Sequence, residues 1–114
     1  MKDSRNGREL GHDLVLAELV RRLVSAYDPE RIYLFGSRAR LEAGPDSDYD
    51  LMVVVADDAP AERRRSQLAY RVLRGTATAA DVLVWTKQTF DERVHLQASL
   101  PGTIVREGRL LYGT

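Results

Sequence analysis

Cysteine is absent from the 114 residues, which excludes disulfides and thiolate metal sites and is compatible with a reducing compartment. No run approaches the ~18 apolar residues of a membrane span. The polar opening MKDSRNGREL also lacks the hydrophobic stretch of a signal peptide. A cytoplasmic location without membrane association is the expectation. Neither sign of charge dominates, since Lys+Arg and Asp+Glu both count 17. No overall field therefore draws the chain to nucleic acid, and direct nucleic-acid binding is not expected. Any phosphate ligand must be held by a local cluster. Lysine is scarce: 15 of the 17 basic residues are Arg, the side chain suited to planar pairing with phosphate or carboxylate. Internal repeats, low-complexity tracts and linkers are missing too.

What is present fits one globular domain. The hydrophobic share is 44% and the charged share 30%, ordinary values for a chain with room for one core. Residues 1–9 are polar and read as an N-terminal tail, leaving 10–114 as the domain. From Asp13 to Tyr27, Leu16, Leu19, Val20, Leu23 and Tyr27 recur at helical spacing, and Asp28-Pro29 ends the pattern. Arg31 to Phe35 is a short β-branched and aromatic run stopped by Gly36. Ser37 to Leu41 has room for one or two helical turns, and Glu42 to Ser47 has the composition of a loop. Asp48 to Val55 reads as a second, central strand.

Asp57-Asp58-Ala59-Pro60 predicts a helix start. That helix would run to Arg74, burying Ala61, Leu68, Ala69, Val72 and Leu73, with Arg63, Arg64 and Arg65 in solvent and Gly75 as its stop. Ala80 to Thr86 is a third strand. Lys87 to Gln97 reads as helical, Leu100-Pro101-Gly102 as an interruption, and Thr103 to Glu107 as a last turn or two. Leu110 to Tyr112 ends as a short strand or a packed tail. The connection between the first two strands is too short for a parallel crossover, which needs about a dozen residues. The expected fold class is therefore α/β (α+β): a small mixed sheet, with the first two strands antiparallel, packed by helices.

Chemistry concentrates between Ile32 and Val55, IYLFGSRARLEAGPDSDYDLMVVV. A Gly-Ser turn between a strand and a helix start offers backbone N–H groups and a hydroxyl to a phosphate. Gly36 permits close approach, Ser37 can bond a phosphate oxygen, and Arg38 or Arg40 can add a charged fork. Along a strand, residues two apart share a face, so Asp48 and Asp50 project together while Tyr49 and Leu51 turn away. Such paired carboxylates suit Mg²⁺ or Mn²⁺. Asp81, at the start of the third strand, is placed to complete the set.

Elsewhere the signals are weaker. His12 and His95 are lone histidines with no partner motif. Trp85 reads first as core and second as a base-stacking residue, and Arg63-Arg64-Arg65 first as a solvated face and second as a site for an acidic partner or RNA.

GSRAR at Gly36 to Arg40, followed by DSDYDLMVV at Asp46 to Val54, resembles the nucleotidyltransferase superfamily of DNA polymerase beta. The match is best with its minimal branch, MNT, and extends from about Leu14 onward. The resemblance implies that Gly36 and Ser37 hold a triphosphate, with Arg38 and Arg40 as secondary nucleotide contacts. It implies that Asp48, Asp50 and Asp81 are the catalytic, metal-binding carboxylates, with Mg²⁺ or Mn²⁺ as cofactor and ATP as substrate. Leu41 stands where this branch has Gly, so a positive φ there would carry a steric cost.

Larger members of this superfamily add a helical domain for the acceptor, and this sequence has no residues for one. Minimal nucleotidyltransferases resemble it in this respect and form toxin–antitoxin pairs with HEPN ribonucleases. The resemblance thus implies an antitoxin that moves AMP from ATP to a hydroxyl of a HEPN toxin, that is, protein AMPylation. Two further functions are compatible with the sequence: a non-catalytic antitoxin that masks its partner by contact, and a nucleotidyltransferase acting on a small molecule such as an antibiotic. A homo-oligomer is compatible with any of them.

Overall fold

The computed structural model describes residues 13–41, 48–76 and 78–114. The N-terminal tail, His12 and the loop Glu42 to Ser47 lie outside the described residues.

Helix α1, Leu14–Tyr27, begins where the Asp13 carboxylate accepts a hydrogen bond from the Leu16 amide at 3.0 Å. It ends where Asp28 takes a left-handed backbone, φ 47, ahead of Pro29. The strands that follow are β1 (Arg31–Phe35), β2 (Tyr49–Val55), β3 (Ala80–Thr86) and β4 (Arg109–Gly113). They form one mixed sheet in the order β3-β2-β1-β4. As the short connection predicted, β1 and β2 are antiparallel; β1 and β4 are antiparallel too, and β2 and β3 are parallel.

The period of two along β2 divides the interior. Tyr49, Leu51, Val53 and Val55 face one core with Leu16, Leu19, Leu23 and Tyr27 of α1 and Leu68 and Ala69 of helix α2 (Ser66–Val72). Met52 and Val54 face a second core with Tyr33, Phe90 and Ile104. That core is covered by helices α3 (Lys87–Arg93) and α4 (Leu100–Glu107). Helix α3 is fixed to β1 by stacking of Phe90 on Tyr33, centroids 5.3 Å apart, and by an Arg31–Asp91 ion pair of 2.9 Å. On the other face, the buried Tyr27 hydroxyl donates to the Arg65 carbonyl and accepts from the Ala69 amide at 2.9 Å, so α1 and α2 meet without an unsatisfied polar group.

Four local expectations are corrected. The helix read from Asp57 to Arg74 is in two pieces, a 3₁₀ turn over Ala61–Arg64 and then α2, and Ala61 is exposed. The expected cap is engaged elsewhere: Asp57 Oδ1 accepts from the Gln88 amide at 2.7 Å, at the start of α3. The helix read from Lys87 to Gln97 stops at Arg93. Leu100-Pro101-Gly102 opens α4 instead of interrupting a helix: the Ser99 hydroxyl accepts from the Gly102 amide at 3.0 Å, and proline is tolerated in a first turn. Gly102 is needed because a Cβ there would collide with the Leu96 carbonyl.

Leu41 does adopt a positive φ, 62, the conformation that strains an L side chain. Leu41→Gly is expected to raise stability by about 0.5–1 kcal/mol, the relief of strain less the entropy lost by glycine. A urea melt measures it, and an unchanged or lower midpoint would contradict the strain.

Candidate active site

The site is assembled where β1 ends. Gly36, φ +78, turns the chain out of the sheet. The Ala39 and Arg40 amides return to the Gly36 carbonyl at 3.1 and 3.3 Å, and the Leu41 amide to the Arg38 carbonyl at 3.2 Å. Of the one or two helical turns with room there, the chain makes one tight turn. A helix dipole therefore adds little, and any anion would rely on local donors and on the arginines.

Phe35, Asp50 and Asp81 lie in one row across three strands, because Phe35 pairs with Asp50 in the antiparallel register and Asp50 with Asp81 in the parallel one. Asp48 is exposed and immediately precedes β2. Burial raises the Asp50 carboxyl above its ordinary range, and the neighbouring charges of Asp81 and Asp48 push it further up, with Arg40 opposing them. Two of the three predicted carboxylates thus act on the third. Gly36 lies against this group: a Cβ on it would strike Asp50 Oδ2 and sit 3.2 Å from Asp50 Cγ. Glycine at 36 serves both the turn and the carboxylate behind it.

The two predicted arginines part company. Arg40 is close enough to offset the repulsion on Asp50 and lies 3.9 Å from Glu107. Arg38 lies over the ring of Tyr49, 4.0 Å from its centroid. Tyr49 is buried on the opposite face from Asp50, and its hydroxyl donates to Asp13 Oδ2 at 2.6 Å. Burial and this hydrogen bond push the Tyr49 phenol up to about 12. Asp13 thereby links the start of α1, through Tyr49, to the Gly36–Leu41 turn. Sequence reasoning missed both residues in this role. Alternation showed only that Tyr49 turns away from the aspartates, and Asp13 read only as the start of a helix.

Tyr49→Phe is expected to cost about 1.5–3 kcal/mol, the worth of a hydrogen bond to a charged group, while keeping the ring under Arg38. The bond persists at neutral pH, because a raised phenol pKa is lost as stability only as pH climbs from 10 through about 12. Thermal melts of both proteins at pH 7 check it; equal midpoints would show the bond contributes nothing.

Among the described residues, no three His, Cys, Asp or Glu side chains form a ready-made metal cluster. The donor set still fits a hard divalent cation. Asp50 and Asp81 are adjacent oxygen donors, and the repulsion that raises Asp50 is what a cation would relieve. An open set of this kind leaves positions for water and substrate phosphate. Of the remaining candidates, Trp85 is half-buried against the second core with the Arg93 guanidinium 5.8 Å from its ring centroid, and His95 is exposed.

A search of curated proteins found no match. Solved structures share the fold. A candidate nucleotidyltransferase from Sulfolobus solfataricus superposes with a TM-score of 0.60 at 22% identity, over 92% of this chain and 83% of that one. A toxin–antitoxin structure with AMP-PNP gives 0.57 at 24% identity, over 85% and 73%. The toxin–antitoxin MntA-HepT gives 0.54 at 23% identity, over 90% and 74%. The model of the nucleotidyltransferase domain family matches residues 16–111, a span that includes β1, the Gly-Ser turn, β2 and β3. This chain belongs to the nucleotidyltransferase domain family.

Proposed function

We propose that the protein transfers a nucleoside monophosphate, AMP from ATP, to a hydroxyl of a partner protein, and that the partner is a HEPN ribonuclease toxin for which this chain is the antitoxin. The observation that carries the transfer reaction is the row Asp50–Asp81 backed by Gly36, with Asp48 close enough to be felt by Asp50. The partner is supported by structural likeness to MntA-HepT and to the toxin–antitoxin structure with AMP-PNP.

Asp48, Asp50 and Asp81 would hold Mg²⁺ or Mn²⁺, which when bound would neutralise phosphate charge and favour ionisation of the acceptor hydroxyl. Gly36 and Ser37 would receive the triphosphate, and Arg40 would balance charge beside the carboxylates. Arg38, held by Tyr49, would fix the turn from behind. The attacking hydroxyl loses its proton, a phosphodiester bond forms to the α-phosphorus, and pyrophosphate leaves.

The test is incubation with labelled ATP, Mg²⁺ and the candidate partner. Label should appear on the partner and disappear with Asp48→Ala. Unchanged labelling in the variant would sink the assignment. Neutralisation of the toxin by the unlabelling variant in cells would instead establish masking by contact.

A further inference from the structure

Strand β3 forms one edge of the sheet. A groove of about 440 Å³ runs beside it, lined by the four consecutive residues Val82 to Trp85 and, across from them, by Arg64, Arg65 and Gln67. Successive residues of a strand point to opposite faces, so four in a row line one groove only where it follows the strand's edge. An edge strand presents alternate N–H and C=O groups outward, a template for an added strand. Leu83 is 38% exposed on this strand. Arg64 and Arg65 are exposed, and among the described residues neither makes an ion pair.

We propose that this groove binds an acidic, extended segment of a partner protein, which adds as a strand to β3 with its carboxylates on Arg64 and Arg65. Main-chain pairing supplies affinity and the arginines supply selection by charge. RNA would meet the arginines but could not pair with the backbone ladder of β3. A second copy of this chain is disfavoured, because two-fold pairing of β3 strands would bring two arginine rims to one seam. The proposal stands apart from the nucleotide chemistry and does not need it.

Trp85 lines the groove as well as packing against the second core, and it is the single tryptophan, so its fluorescence responds to a ligand in the groove. The probe is an eight-residue peptide alternating Glu and Val, titrated at low salt. A saturable fluorescence change is expected, at least tenfold weaker with the Arg64→Glu/Arg65→Glu variant and retained with Arg64→Lys/Arg65→Lys. The same peptide N-methylated at alternate residues keeps its charge and is expected to lose binding, because it cannot pair with a strand edge. No response to the acidic peptide overturns the proposal. So does equal binding of a Lys–Val peptide, of the N-methylated peptide, or by the Arg64→Glu/Arg65→Glu variant. Tighter binding of oligouridylate would assign the groove to RNA, and a wild-type dimer broken by the Glu variant would assign it to self-association.

Discussion

Asp50→Asn is expected to lower the transfer rate by on the order of a thousandfold or more, while leaving the fold at least as stable as before. The two halves have one cause. Asp50 sits where burial and the charges of Asp81 and Asp48 disfavour its ionised form, so its carboxylate is held against the preference of the folded protein. A group whose folded pKa is raised favours the fold while protonated, and that advantage is lost as pH rises through the raised value. The asparagine variant has no such charge. Its melting temperature should match or exceed that of the wild type at pH 7, with the difference shrinking in acid below the ordinary carboxylate range. A variant clearly less stable at pH 7 would mean that Asp50 is a structural ion-pair partner and not a strained functional carboxylate.

Gly36→Ala should cost about 2–3 kcal/mol and disable the site at the same time. An L residue at φ +78 pays about 1–2 kcal/mol for its backbone alone. The new methyl group also meets Asp50 Oδ2, which must move. The two contributions separate in a double-mutant cycle: in an Asp50→Ala background the collision is gone and only the backbone cost remains. Denaturant melts of the four proteins measure this. Additive losses would show that the turn and the carboxylate are not in contact.

Three of the four strands were readable as short apolar runs, whereas the last, β4, read equally as a packed tail. Gly36 stops β1, and the brief connection after it forces antiparallel pairing with β2. Helix α1 was readable from its periodicity and from Asp13 at its start. The boundaries of the later helices were not, because one is held by a hydrogen bond between residues far apart in sequence and another by a local serine cap that the Pro-Gly pair disguises. Asp57 caps α3 across space, and Ser99 turns a Pro-Gly pair into a helix start. In the candidate site, the Gly-Ser turn and the spacing of Asp48 and Asp50 are local patterns. The adjacency of Asp50 and Asp81 rests on a parallel register that no local pattern encodes. The hold of Tyr49 on Arg38 is likewise a tertiary contact.

The position of β4 bears on the order of folding. Leu34 meets Leu51 across one edge of β1 and Arg109 across the other. The first pairing closes a loop of about 17 residues and the second one of about 75, at an added entropic cost of roughly 1.3 kcal/mol. β1 and β2 can pair early, whereas β4 arrives late and must find an edge that has stood open in the meantime. Until it docks, that edge of β1 is the place where a folding chain would capture a neighbour's strand. Refolding yield should therefore fall with protein concentration more steeply in a chain cut before Arg109 than in the whole one.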